Sequence, residues 1–480
     1  MAVDGRSGEL NRIVLPVVLV FLLVALGIRL LLLGSKSLWF DEALSLHVAL
    51  RGQAAMWSEN GEIFHPPLFY GLLEQWAQLG RSEFVLRLPS ALLGSLSVIL
   101  IYVLAKDLLD RPVAVTAAGL TAFSPLLIWY SQELRPYALL MTLGLIATLA
   151  GINLFMRPTL GWWLLLVGAM IAAVYVHYDA VLLVPLQLLL FVALSAIGRT
   201  NWHRLVLWLA GLGVVAVCFM PWLQSPAARA FSNLTAISTT YLAPLLVNNF
   251  NLQINFYQLI PIAGGVGLLA SAIGLTFLYW LLRRIHVRHN VQRWRNQKWL
   301  QLLIAILFVI LLIVSVVPRG YSLKRHLELL WPYGLLLFAW FWPWRSRFHK
   351  LLLSMLTLSL IASLINVVLV PKDQWREAVS LIVEQRQAND LVLLTPPYTT
   401  VVFDYYDLGR TSRASVPATV DAAWIDAALD RNDRVWLIES ESAPGLQPQV
   451  QRWLNARGTL LNTTDFYRIH VRLYERNHAR

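Results

Sequence analysis

The sequence predicts an α-helical polytopic membrane protein with a small α/β domain at its C-terminal end. Hydrophobic residues make up 58% of the chain and charged residues only 14%, whereas soluble domains carry roughly a quarter charged residues. Apolar runs long enough for a membrane helix recur up to residue 370, and the composition becomes more polar after Pro371. We therefore place a transmembrane domain at residues 1–370 and an α/β domain at residues 371–480.

The apolar runs divide into about eleven predicted transmembrane helices, each near the ~20 residues that a helix needs to cross hydrocarbon. The first run is too long for the core of a signal peptide and lacks a small-residue cleavage site, so we interpret it as a retained span. The predicted spans are 13–34, 87–106, 112–130, 137–156, 160–177, 179–197, 204–223, 258–282, 299–317, 327–343 and 350–370.

The distribution of basic residues predicts the orientation. A net charge of +12 would suggest nucleic acid in a soluble protein, but here Lys and Arg fall in alternate loops between apolar runs. This pattern is typical of cytoplasmic loops under the positive-inside rule, and we expect no nucleic-acid partner. The basic loop 283–298 leaves contact with anionic lipid as a weaker interpretation. The N-terminus is then cytoplasmic, and the first outer loop, 35–86, and the C-terminal domain lie outside.

The C-terminal domain shows alternating strand and helix signals. Asp390–Thr395 and Arg434–Ser440 are short apolar runs between polar turns, as in buried strands. Trp375–Gln387 and Val420–Asp430 have helical spacing, and Phe466–Glu475 alternates like an edge strand. Neither GxGxxG nor GxxxxGK[ST] occurs, so the sequence predicts no nucleotide cofactor.

Two adjacent carboxylates, Asp41 and Glu42, follow the first predicted span within the segment SLWFDEALSLH. Trp39 is an aromatic of the kind that anchors helix ends at the interface, which puts both acids near headgroup depth. There a carboxylate meets a lipid-borne substrate and water together; an ordinary acidic loop is the alternative. Ala43–Trp57 and Phe64–Leu79 are each spaced like a short helix lying on the membrane surface.

Three further polar clusters fall on the same predicted face. His65 precedes Pro-Pro at a helix opening, where it is either a ligand for metal or phosphate or a simple helix-start residue. Glu133 and Arg135 share the tight hairpin YSQELRPY, which is also compatible with a salt-bridged turn. Lys324 and Arg325 lie in YSLKRHLELLW against the positive-inside trend, and an Arg fork suits phosphate oxygens.

Carboxylates, a histidine and cations at a membrane boundary suit one reaction class. A sugar on a polyprenyl phosphate is attacked by an acceptor hydroxyl while a carboxylate removes the acceptor proton. Cations stabilise the departing phosphate, with or without a divalent metal. The membrane lipids surround such an enzyme, and the acceptor is a lipid, a glycan or a protein.

At these motifs the chain resembles the GT-C fold glycosyltransferases, in particular the bacterial protein O-mannosyltransferases and aminoarabinose transferases. The first 200 residues or so carry most of the resemblance, and SLKRHLELLWP matches a later Arg-containing element more loosely. The motifs are LWFDEA (38–43), HPPLFYGLL (65–73), SEFVLRLPSALLG (82–94), FSPLLIWYSQELRPYALL (123–140) and SLKRHLELLWP (322–332).

The resemblance implies an inverting transferase of a bacterial inner membrane and assigns a role to each motif residue. Asp41 would be the catalytic base or acceptor-binding acid, with Glu42 supporting it. The substrate- and phosphate-binding residues would be His65, Arg135, Tyr137, Lys324 and Arg325. A divalent metal, if one is used, would be held by Glu133, Asp41 and His65.

Two other classes of protein remain open at this point. A lipid or polysaccharide transporter would place ionisable groups near the bilayer midplane. The notable ionisable groups here cluster at one face instead, and Arg29 lies close enough to a helix end to snorkel. The second alternative is a non-catalytic partner in envelope assembly, against which the acidic first loop argues mildly.

Overall fold

A computed structural model describes residues 4–58, 65–196, 198–229, 328–342, 346–416, 422–441 and 447–476. The predicted spans at 258–282 and 299–317 lie outside the described residues, as do Lys324 and Arg325. Within the described part, a bundle of apolar helices precedes a five-stranded sheet. This arrangement confirms the predicted fold class.

The membrane helices follow the predicted spans closely. Among the described residues, five helices are long and apolar enough to cross a membrane, or six if one bent pair is a single span, so the total of eleven stays a prediction. The helices of this part are α1 (Asp4–Leu30), α5 (Glu83–Leu108), α6 (Arg111–Phe123), α7 (Pro125–Ser131), α8 (Tyr137–Met156), α9 (Leu160–Val176), α10 (Leu183–Ala196), α11 (His203–Leu223), and the helices Trp331–Phe341 and Ser346–Leu369.

One predicted span is broken. The run predicted at 112–130 forms α6 and α7, whose axes differ by 55°. The break falls at Ser124–Pro125, because proline has no N–H to continue the helical bonding and pushes the preceding residue out of the helical region. The bend directs α7 and the hairpin after it toward the centre of the bundle.

The described residues of the first loop form three short helices, where the spacing had predicted two, at Ala43–Trp57 and Phe64–Leu79. They are α2 (Phe40–Leu50), α3 (Gln53–Met56) and α4 (Leu68–Trp76). At the start of helix α2, the Glu42 carboxylate accepts a hydrogen bond from the Trp39 backbone N–H at 3.3 Å. This hydrogen bond fixes Asp41 and Glu42 in the first turn of the helix.

The C-terminal sheet has the strand order β2-β1-β3-β5-β4. Its central strands β1 (Asp390–Thr395) and β3 (Arg434–Ser440) are parallel and buried, as predicted. The expectation of an edge strand at 466–475 is wrong, since β5 pairs on both sides with β3 and β4. The strands are β1, β2 (Ser412–Ser415), β3, β4 (Gly458–Phe466) and β5 (Ile469–Arg476), and the helices are Trp375–Gln385, Thr400–Asp407, Ala422–Asp430 and Gln447–Arg457.

The α/β domain packs directly on the first loop. Ala43 of α2 belongs to the same buried cluster as Val402 and Phe403 of the Thr400–Asp407 helix. Arg376 forms a salt bridge with Glu83 and donates hydrogen bonds to backbone carbonyls at residues 34 and 35. The C-terminal domain is therefore part of the wall that holds α2 in place.

Candidate active site at the start of the second helix

Glu42 lies in a sealed ionic cluster. Its side chain is 0% exposed, and Arg87 of α5 donates to both carboxylate oxygens, at 2.8 and 2.6 Å. The backbone N–H of Leu134 donates to the same carboxylate at 2.8 Å. A bidentate guanidinium and a backbone donor satisfy this carboxylate without any solvent.

Arg87 also fixes the chain that leads into α2. Its guanidinium donates hydrogen bonds to the backbone carbonyls of Leu33, Lys36 and Ser37, at 2.8 to 3.0 Å. One buried side chain thus joins the carboxylate of Glu42 to the loop before it. The arrangement makes Arg87 and Glu42 a structural clamp on the first turn of α2.

A lysine from the C-terminal side completes the cluster. Lys372 Nζ lies 3.4 Å from Glu42 Oε2 and 3.8 Å from Glu133 Oε1, and it is buried. Burial alone would raise the pKa of Glu42, but the charges of Arg87 and Lys372 outweigh it and lower that pKa to about 2. Glu42 is therefore ionised and cannot take up a proton at neutral pH.

Asp41 faces a different environment. Its side chain is 17% exposed, and its Oδ2 lies 4.0 Å from Arg135 Nη2. The other Arg135 nitrogen, Nη1, donates hydrogen bonds to the Asp41 backbone carbonyl and to Ser45 Oγ. Asp41 is thus a partly exposed carboxylate beside a fixed cation.

The predicted binding residues surround Arg135. Its Nη2 is 3.3 Å from Nε2 of His65, whose ring stacks on His177 at 4.3 Å. The Tyr137 ring centre is 5.6 Å from the guanidinium carbon. Asp41, His65, Arg135 and Tyr137 therefore converge, although they come from three separate motifs. His177 Nδ1 in turn lies 3.6 Å from Oδ2 of Asp179, and both side chains are buried.

The three residues expected to hold a metal do not form a metal site. Across the described residues, no three His, Cys, Asp or Glu side chains group in a way that could hold an ion. The carboxylate of Glu133 faces Lys372, whereas Asp41 and His65 face Arg135. Because lysine and arginine occupy the positions beside these carboxylates, the donor set does not fit a divalent cation.

Sequence reasoning missed Arg87 and Lys372. Arg87 is the first residue of a predicted span, and Lys372 lies at the start of the predicted α/β domain, and neither was chosen as a site residue. An arginine inside an apolar run is a signal in itself, because such a charge needs a buried partner. Arg29 was likewise expected to snorkel, which is wrong: it is fully buried and donates hydrogen bonds to Ser131 and to the Ala122 carbonyl.

Comparison with known proteins gives a family match over part of the chain. Residues 64–224 match the family described as dolichyl-phosphate-mannose-protein mannosyltransferase, a segment that includes His65, Glu133 and Arg135 but not Asp41. No curated protein matches the chain by sequence.

Two solved structures resemble the whole chain. The oligosaccharyltransferase of Archaeoglobus fulgidus with a tethered acceptor peptide has a TM-score of 0.53 at 11% identity, over 89% of this chain and 69% of that one. The apo structure of ArnT from Cupriavidus metallidurans has a TM-score of 0.51 at 13% identity, over 95% and 97% of the two chains. The archaeal protein has also been crystallised with zinc and sulfate.

These findings confirm the resemblance drawn from the motifs: the chain is a multi-pass membrane protein with the GT-C fold. The family match supports glycosyltransferase as the class of enzyme.

Proposed function

We propose that the chain transfers a sugar from a polyprenyl-phosphate donor to an acceptor hydroxyl, with Asp41 as the general base. The observation that supports this most is the placement of Asp41: a partly exposed carboxylate at the end of the membrane helices, held beside Arg135 and near His65. The acceptor is a lipid, a glycan or a protein.

The chemistry needs only the side chains already placed. The acceptor hydroxyl lies against Asp41, which takes its proton as the oxygen attacks the anomeric carbon. The bond between that carbon and the phosphate oxygen breaks, and the lipid phosphate leaves with the bonding electrons. Direct displacement inverts the anomeric configuration.

Fixed cations would stabilise the charge on the leaving phosphate. Arg135 is one such cation, since hydrogen bonds to the Asp41 carbonyl and Ser45 already hold it in position. Lys324 and Arg325 are the others that we propose, on the basis of the sequence alone.

Asp41 and Glu42 take separate roles in this proposal. Glu42 is a positioning residue because Arg87 and Lys372 already bind its carboxylate. The Asp41 carboxylate is partly exposed, and we assign it to the substrate. The sequence had left open which of the two acids was the base.

The proposed location is the bacterial inner membrane, with the N-terminus in the cytoplasm and the α/β domain outside. The charge asymmetry of the loops supports this orientation. Reporter fusions after Arg295 and at Gly445 test it. We expect a cytoplasmic signal from the first and an external signal from the second, and the opposite pair of signals would overturn the orientation.

A direct assay tests the activity. Purified protein is incubated with a panel of polyprenyl-phosphate sugars and hydroxyl acceptors, and the release of polyprenyl phosphate and the anomeric configuration of the product are measured. We expect one donor class to be consumed, with inversion. Transport of an intact lipid-linked sugar without its cleavage would favour the transporter instead.

The role of Arg325 is tested by donor titration. Arg325→Ala removes one charge-assisted contact worth about 1.5–3 kcal/mol, so the KM for donor should rise roughly ten- to a hundredfold. Lys350→Ala, an exposed lysine at the start of the Ser346–Leu369 helix, serves as control. An unchanged KM for donor in Arg325→Ala would remove this residue from the phosphate role.

A further inference from the structure

Lys36 lies between the end of α1 and the start of α2, against the last turn of the Ser346–Leu369 helix. Its Nζ is 3.4 Å from the carbonyl oxygen of Asn366 and 5.7 Å from the centre of the Trp129 ring. That helix is a candidate membrane span, and most of its apolar surface is exposed. Lys36 therefore lies at the boundary between the hydrocarbon and the aqueous phase.

The two charged groups that act on the pKa of Lys36 are both cations. Lys372 and Arg87 are the charged neighbours that act on it, and burial together with their repulsion lowers the pKa of Lys36 to about 8. Lys372 also approaches the Trp129 ring, at 5.6 Å, so two lysines flank one indole. The ammonium group of Lys36 needs an anion that these neighbours do not supply.

The nearby carboxylates already form ion pairs with other cations. Glu42 and Glu133 are matched in number by Arg87 and Lys372. Glu83 and Glu328 extend this cluster, through Arg87 and Glu133 respectively. In the part of the chain that the structure describes, no carboxylate forms an ion pair with Lys36.

The sequence shows that the long undescribed segment cannot provide one either. Residues 230–327 contain no Asp and no Glu. A carboxylate from this segment is therefore excluded as the counter-charge of Lys36. The membrane is the adjacent phase, and its anionic headgroups can supply a counter-charge.

The surface beside Lys36 suits acyl chains. Leu31 and Leu32 are exposed just before it, and Ile365, Val368 and Leu369 are exposed on the neighbouring helix. A half-buried cation above an apolar surface, with an indole beside it, matches the amphipathic profile of a phospholipid. The phosphate would lie at Lys36 and the chains would run along these side chains.

We infer that Lys36 and Trp129 form a binding site for the phosphate headgroup of an anionic glycerophospholipid. The site is distinct from the Asp41 pocket, because Lys36 lies beside Lys372 and Arg87, whereas Asp41 lies beside Arg135 and His65. The bound lipid stabilises the loop whose carbonyls Arg87 holds, and so stabilises the start of α2.

A simpler role for Lys36 is to cap the carbonyls at the end of the Ser346–Leu369 helix. Such capping uses one hydrogen bond, at 3.4 Å, and offers only the partial negative charge of a helix terminus. It leaves two of the three ammonium donors for a phosphate. A cap alone predicts that Lys36 stabilises the protein equally in neutral and anionic lipid.

The test compares full-length wild type with Lys36→Gln and Lys36→Arg. Each is placed in nanodiscs of phosphatidylcholine with increasing phosphatidylglycerol, and both the thermal midpoint and the lipid retained in native mass spectrometry are measured. We expect phosphatidylglycerol to stabilise wild type and Lys36→Arg, and its apparent affinity to fall about fivefold in Lys36→Gln. Lys350→Gln, an exposed lysine at the other end of the same helix, should behave as wild type.

Equal response of wild type and Lys36→Gln to phosphatidylglycerol would overturn the inference. A further arm separates the bulk lipid from the donor carrier by adding polyprenyl phosphate. Stoichiometric displacement of phosphatidylglycerol would assign Lys36 to the carrier and contradict the inference. Neither result depends on transferase activity, so the lipid site and the proposed function fail independently.

Discussion

Asp41 and Glu42 are neighbours in the sequence but belong to opposite environments. Glu42 is fully buried and bound by Arg87, Lys372 and a backbone N–H. Asp41 is partly exposed and lies 4.0 Å from one fixed cation, Arg135. Successive residues on a helix point about 100° apart, so one turn of α2 directs Glu42 into the protein and Asp41 toward Arg135 and the partly exposed side.

This difference separates two uses of a carboxylate. A buried acid with a bidentate partner is held ionised and rigid, which suits positioning. A general base must reach its substrate and change its protonation state during the reaction. Of the two acids, Asp41 is the one that is partly exposed, and for this reason we propose it as the base.

The largest expected loss of stability comes from removing Arg87, the bidentate partner of the buried Glu42 carboxylate. Arg87→Ala leaves the Glu42 carboxylate buried with Lys372 and backbone N–H groups but without its bidentate guanidinium, and breaking a buried pair in this way costs about 3–5 kcal/mol. We expect low yield and a strongly lowered thermal midpoint. Arg376→Ala is the control, because its salt bridge with Glu83 is partly exposed and should contribute about 1 kcal/mol or less. Equal stability of the two variants would mean that the clamp does not hold the fold.

A smaller loss of stability is expected when Lys372, the lysine of the same buried cluster, is substituted. Lys372→Met keeps the bulk of the side chain but removes the cation between Glu42 and Glu133. We expect a loss of about 1.5–3 kcal/mol, measured by thermal unfolding, since Arg87 still satisfies Glu42. Lys372→Arg should recover part of this loss. A Lys372→Met variant as stable as wild type would show that Arg87 alone is sufficient.

The smallest expected effect is on how the free energy of unfolding depends on pH. Because the folded protein lowers the pKa of Glu42 from 4.5 to about 2, the stability that Glu42 contributes is complete above pH 4.5 and is lost as the pH falls toward 2. One group gives a slope of at most about 1.4 kcal/mol per pH unit. Unfolding measured from pH 7 to pH 3 should show this slope in wild type and a shallower one in Glu42→Gln. Identical slopes would contradict the role of Glu42.

The sequence predicted elements well where one local rule decides them. Span α8 and strands β1 and β3 lie where hydropathy and turn residues placed them. The predicted span at 112–130 is not one continuous helix, because Pro125, whose effect is local, interrupts it with a bend of 55°. The β5 strand was misplaced at an edge because alternation along one strand says nothing about its neighbours.

The candidate site was predictable in its members but not in their contacts. Asp41, His65 and Arg135 were chosen from separate motifs, and they do come together. Which acid is buried depends on Arg87 and Lys372, which lie 45 and 330 residues away from Glu42. No local pattern carries that information, because burial is decided by elements that meet only in the folded chain.

The most direct test measures turnover and thermal stability together for Asp41→Asn and Glu42→Gln. Asp41→Asn keeps shape but cannot accept a proton, so kcat should fall about a hundred- to ten-thousandfold, while the thermal midpoint stays near that of wild type. Glu42→Gln should lose stability and retain measurable turnover per folded molecule. Full turnover in Asp41→Asn would contradict the role of Asp41 as the base. A stable and inactive Glu42→Gln would contradict the structural role of Glu42.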